Sequence, residues 1–207
     1  MKNTAYRSQL AGCSEILPTA NCQLPTGFTL IETMIAITIL TLAVTGSLFT
    51  ASRAIIAAQN ARTQLTASYL AQEGAEYVRA VRDNEYLSAY QAGGTNVSTV
   101  AWNNFLAGDI NQCRTAECSL DLTRPMGYGS GSSLFQCTGV ECKLYILASG
   151  VYATERSGQS GTVTPFVRTV QVTNVSSSEE RIVSKVLWDF HGIPYSVTVT
   201  DHLTPWQ

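Results

Sequence analysis

Charge is scarce in this chain: Asp, Glu, Lys and Arg make up 14% of 207 residues, and the net charge is −2. No strong basic excess points to nucleic acid or to acidic lipid as a partner. Histidine is scarcer still. His191 and His202 both fall near turns or strand ends and read as surface residues rather than as a metal pair. No Ser-His-Asp order and no Gly-rich phosphate loop is present. Asp189 and His191 lie close together with no nucleophile beside them. The sequence therefore carries no catalytic set and calls for no cofactor. Proline is absent from Phe28 to Asn84, where the only glycines are Gly46 and Gly74, so nothing there forces a helix to break.

What fills that proline-free stretch begins as a long apolar run. Phe28 to Ala51 is 24 residues with a single charge, Glu32. A helix of that length, at about 1.5 Å per residue, spans a hydrocarbon core of about 30 Å. A carboxylate deep in a bilayer costs roughly 2.5–3.5 kcal/mol. Glu32 either reaches out to the headgroups or needs a positive partner. Cutting the chain after Gly27 would supply one, as a new α-ammonium on Phe28. A secretory signal would have a shorter apolar core with its cut after it. A plain signal anchor stays open and leaves Glu32 without a role.

The residues Gly27-Phe28-Thr29-Leu30-Ile31-Glu32 resemble the cleavage and methylation motif of type IV prepilins and type II secretion pseudopilins. The resemblance implies that a membrane prepilin peptidase cuts between Gly27 and Phe28 and methylates Phe28. It implies that Glu32 registers the incoming subunit against its neighbour. The 27-residue leader is long for this family, and Pro25-Thr26 stands where a basic residue often precedes the glycine. Lys2 and Arg7 against Glu15 give a weak positive-inside signal whose sign favours a cytoplasmic leader. The partners implied are other pilin subunits in a helix bundle, the peptidase, an inner-membrane assembly platform, and the membrane before assembly. The implied location is the cytoplasmic membrane, single-pass with the head outside, and then an extracellular filament or a periplasmic pseudopilus.

The expected fold class is α+β: a long N-terminal helix, transmembrane then amphipathic, packed on a C-terminal antiparallel sheet. Residues 1–27 read as a cleaved leader, leaving 180 residues and, without Lys2, Arg7 and Glu15, a net charge of −3. Residues 28–52 are the transmembrane and assembly half of the helix. Residues 53–87 are its amphipathic half, where Leu70, Gly74, Tyr77 and Val81 recur at helical spacing. The segment from Leu70 to Asp83 more softly resembles minor pilins. A dimerising coiled coil is the alternative, with poor heptads.

Residues 88–142 read as a loop-rich region, with a short helix over Val100–Leu106. Residues 143–207 read as an antiparallel meander. Lys143–Thr154 is its first strand. Next, Phe166, Val170 and Val172 share a face with Arg168. In later strands Ile182, Val186, Trp188 and Phe190 share a face, as do Tyr195, Val197 and Val199.

Cysteines divide along the same line. Cys13 and Cys22 fall in the leader, while Cys113, Cys118, Cys137 and Cys142 follow the helix. A zinc site built from four thiolates needs reduced cysteines and tends to closer pairs. On the exported side two disulfides are the stronger reading. Four cysteines allow three pairings, and local closure favours Cys113–Cys118 with Cys137–Cys142. Asn96 and Asn174 each open a weak glycosylation sequon. A structural filament subunit, in a pilus, a secretion machine or a DNA-uptake machine, is the leading functional expectation. A filament-tip adhesin or ligand-binding module is the alternative, with Arg124, Tyr128 and Phe135 as exposed contacts.

Overall fold

The computed structural model describes residues 27–126, 132–137, 139–154 and 161–206. Residues 1–26, the bulk of the expected leader with Cys13 and Cys22, and Tyr128 lie outside the described residues. The architecture is α+β. One helix, α1 (Leu30–Ala92), runs for 63 residues. It is followed by α2 (Val97–Ala107), a 3-10 turn (Asp109–Asn111) and α3 (Gln112–Thr115). Then come β1 (Cys118–Leu120), β2 (Leu134–Gln136) and a second 3-10 turn (Gly139–Cys142). Five more strands complete the chain: β3 (Lys143–Ile146), β4 (Tyr152–Thr154), β5 (Thr162–Ser176), β6 (Glu179–Phe190) and β7 (Ile193–Leu203). The chain divides into two compact units between Ser52 and Arg53.

In the second unit, α1 lays a narrow stripe on the sheet: Ala67, Leu70, Ala71, Gly74, Ala75, Tyr77 and Val78 are buried. The spacing of three and four residues keeps them on one face. Their small size lets the helix come close. A Cβ built at Gly74 would sit 2.3 Å from Ser184 Oγ and 3.3 Å from Val170 Cγ2. Tyr77 and Val78 share a core with Trp102 and Phe105 of α2 and with Val170, Val172, Ile182 and Leu203 of the sheet. Ala67, Leu70 and Ala71 share another with Leu144, Phe166, Val186 and Trp188. Each large apolar side chain so buried contributes about 1.5–3 kcal/mol relative to exposure.

Alternation on the long strands places the predicted residues inward. Phe166, Arg168, Val170 and Val172 are buried on β5, as are Ile182, Val186 and Trp188 on β6. On β7, Tyr195, Val197 and Val199 are half-buried between exposed neighbours. β5, β6 and β7 form an antiparallel meander, with one register shift in β5 between Asn174 and Ser176 and an unbroken register between β6 and β7. His191 and Gly192 both have positive φ, 54° and 79°. That backbone lets a two-residue turn follow the right-handed strand twist.

The structure departs from the sequence reading at four points. α1 continues to Ala92, past the expected end at 87, and stops at Gly93 in a left-handed conformation (φ 64°). Its last turns are held by the C-terminal tail. Arg82 donates to Thr204 O at 3.3 Å, and Trp206 packs on Tyr86 with ring centroids 5.6 Å apart. Trp206 Nε1 donates to Asp83 Oδ1 at 3.1 Å. Second, the loop-rich region supplies two strands, β1 and β2, that join the sheet. Third, Lys143–Thr154 is not one strand but a hairpin of β3 and β4. Fourth, the order β2-β1-β5-β3-β4, with β6 and β7 beyond β5, is not a simple meander. β6 occupies one edge of β5, so β1 and β3 share the other.

Candidate assembly surface

Gly27, Phe28 and Thr29 precede the helix in non-helical backbone. Phe28 is 80% exposed, and the Cβ position of Gly27 is open. The predicted cut therefore falls in accessible, unwound chain, the form a protease can bind. Thr29 then starts the helix: its Oγ1 accepts from Glu32 N–H at 3.3 Å, and its carbonyl accepts from Thr33 N–H at 3.2 Å. Thr29 and Glu32 stand at capping-box spacing. A first-turn carboxylate also suits the positive end of the helix dipole. The Glu32 carboxylate thus stands in the first turn of a helix capped by Thr29, a local placement that the sequence reading missed. The signal was legible as a threonine three residues before a glutamate, ahead of an apolar run.

From Leu30 to Ser52 every side chain is exposed, including Ile31, Met34, Ile35, Leu40, Leu48 and Phe49. The most apolar 18-residue window of α1 has a mean hydropathy of 2.0, long and apolar enough to cross a membrane. Hydroxyls within the run do not spoil it. Thr33, Thr38, Thr41, Thr45, Ser47, Thr50 and Ser52 each donate to a carbonyl three or four residues back. Such back-bonding satisfies hydroxyls without water. An uncovered apolar surface of this length needs lipid or other helices around it.

The four cysteines form the two local bonds, Cys113–Cys118 and Cys137–Cys142. They brace different places. The first ties α3 to β1 inside the main core. The second joins Phe135 and Val167 in a small cluster. Val167 lies between inward-facing Phe166 and Arg168, so this cluster sits on the opposite face of the sheet.

Arg168 is the one fully buried cation of the inner face among the described residues. It pairs with Glu73 of α1 and donates to Leu120 O at 3.0 Å. Burial pushes its pKa down, and the nearby Glu73 and Asp121 carboxylates oppose that. Glu180 of β6, also fully buried, accepts from Arg114 and, at 2.8 Å, from Asn174. Arg79 of α1 holds Asp201 of β7 at 2.7 Å, and that hydrogen bond pushes its pKa up. These pairs position elements of the second unit against one another.

Of the expected ligand contacts, Tyr128 lies outside the described residues. Phe135 is buried, and Arg124 is half-buried beside Asp121 at 3.4 Å. His191 sits in the turn before β7 and His202 near the far end of that strand, about 30 Å away by strand rise. His202 lies 2.7 Å from Glu179, and Asp189 accepts from Gly192 N–H at 2.8 Å within the turn. Asn174 spends its amide on Ser176 O and Glu180, whereas Asn96 starts α2 with no side-chain cap bond. No family model, curated protein or solved structure matches the chain.

Proposed function

We propose that the chain is a structural subunit of a type IV pilus-like filament, a minor pilin. A prepilin peptidase cuts it between Gly27 and Phe28 and methylates Phe28. The apolar part of α1 waits in the cytoplasmic membrane and then enters a bundle of neighbouring helices. The observation that carries this reading is an unwound, exposed Gly27-Phe28 pair placed directly before an apolar helical surface that nothing among the described residues covers. Head-to-tail contacts that do not close generate open filaments.

The test is mass spectrometry of the N-terminus in sheared surface filaments. A peptide starting at Phe28 with one added methyl group is expected. An intact N-terminus found only in the membrane fraction would reduce the protein to an anchored domain.

Glu32 separates its two roles by substitution. In the proposed filament its charge meets an α-ammonium of Phe28, whereas in a capping box glutamine serves as well as glutamate. Glu32→Gln is therefore expected to lose filament entry as fully as Glu32→Ala, with the head still folded. Normal incorporation of Glu32→Gln would leave capping as the whole role of this residue.

A further inference from the structure

A groove of about 450 Å³ opens between the first turns of α1 beyond the apolar run and the tip of the β6–β7 hairpin. Its floor is apolar: Ile56 is 43% exposed, Ile193 is 55% exposed, and Phe190 is half-buried. Its rim carries Arg53 and His191, and none of its lining residues is a carboxylate. Asn60 lines it too, and Asn60 Oδ1 is buried with no hydrogen-bond partner among the described residues. A hairpin tip in water normally shows polar residues. This one shows an isoleucine beside an aromatic ring.

Position along the helix says what covers it. Arg53 is the first charged residue after Glu32, and the apolar run ends at Ala51. If Leu30–Ala51 fills a hydrocarbon core of about 30 Å, Arg53 and Ile56 on the next turn of the same helix lie at headgroup depth, about 3–8 Å beyond the core. We propose that this groove is an anionic-phospholipid site. The headgroup phosphate lies against Arg53 and His191, and the glycerol and upper acyl carbons cover Ile56, Phe190 and Ile193. The chain's net charge gives no general attraction to acidic lipid, so the affinity is local to this rim. The inference rests on the membrane-anchored reading above.

The test uses the full chain in vesicles of phosphatidylglycerol and phosphatidylethanolamine, and separately in phosphatidylcholine alone. Each carries a trace of phospholipid with a photoreactive group near the glycerol, and adducts are mapped by mass spectrometry. Adducts are expected on Ile56 and the Phe190–Ile193 turn, several-fold more in the phosphatidylglycerol vesicles. Phe190→Ser/Ile193→Ser should cut the turn adducts several-fold while those on Leu30–Ala51 persist and the tryptophan emission is unchanged. Arg53→Gln should erase the difference between the two vesicle types with the hairpin intact.

Adducts on Leu30–Ala51 but none on the turn would overturn the proposal. Turn adducts that disappear as the protein-to-lipid ratio rises, while those on Leu30–Ala51 persist, would overturn it and assign the groove to a neighbouring subunit. Equal labelling in both vesicle types would overturn the anionic preference. No adducts on Leu30–Ala51 would sink the membrane reading and this inference with it. The methylated N-terminus in sheared filaments is scored separately, so the two failures are distinguishable.

Discussion

Glu73→Ala is expected to cost the fold about 3–5 kcal/mol, more than removal of its partner. Arg168 is fully buried, and its guanidinium stays protonated at any ordinary pH. Taking away Glu73 leaves that charge in the core with the Leu120 carbonyl and the nearby Asp121 as its only compensation among the described residues. Arg168→Met has the opposite consequence. It removes the buried charge and leaves Glu73, whose side chain is 36% exposed and can rehydrate. That loss should stay within about 1–2 kcal/mol, and the double variant should recover most of the Glu73→Ala deficit, because apolar replacement of a buried pair is often tolerated. Urea unfolding of the detergent-solubilised full chain, followed by tryptophan fluorescence, reads the difference. At a slope of about 2 kcal/mol/M, 3 kcal/mol is a midpoint shift of about 1.5 M. Equal losses for the two single variants would show that Arg168 is not the buried liability described here.

Gly74→Val is expected to be comparably damaging, for a steric reason. The helix meets the sheet with almost no gap at this residue, and a Cβ collides with Ser184 and presses on Val170. Overpacking of this kind costs about 1–3 kcal/mol, and a β-branched side chain cannot rotate away. Gly74→Ala is the informative intermediate. It gains about 1 kcal/mol of helix propensity and meets the same Ser184 hydroxyl. Ser184 Oγ is itself buried without a hydrogen-bond partner among the described residues, so Ser184→Ala alone should be neutral or slightly stabilising. Gly74→Ala/Ser184→Ala should then be more stable than Gly74→Ala by about 1 kcal/mol, a coupling that a double-mutant cycle measures. Additive effects would mean that the helix shifts away rather than packing as tightly as it does.

Both predictions turn on contacts the sequence only half reveals. Alternation placed Arg168 on the apolar face of β5, and helical spacing placed Gly74 on the buried stripe of α1. Neither pattern names the residue on the other side, because Glu73 and Arg168 are 95 positions apart. Ala67, Ala71, Ala75 and Val78 were missed from the stripe because small residues give a weak periodic signal, yet their size is what brings the helix close. The three-residue strands β1, β2 and β4 are too short for a period of two to register. They are strands because neighbouring strands offer them an edge: β5 to β1, β1 to β2 and β3 to β4. Phe135 read as an exposed contact in a loop and is buried because the second disulfide folds over Val167.

By itself the sequence determined the local matters. It set a helix with nothing to break it, an apolar run of membrane length, a motif at the start of that run and alternating faces on the long strands, and it favoured the pairing of nearby cysteines among three possible pairings. Each follows from residues within a few turns of one another. Tertiary structure decided the rest. The end of α1 depends on a left-handed Gly93 and on a tail that returns from residues 204–206. The strand order depends on which edges of β5 are taken, and the internal charge pairs depend on helix and sheet meeting at Gly74. Those outcomes are settled by packing between distant segments, whose energies no local pattern contains.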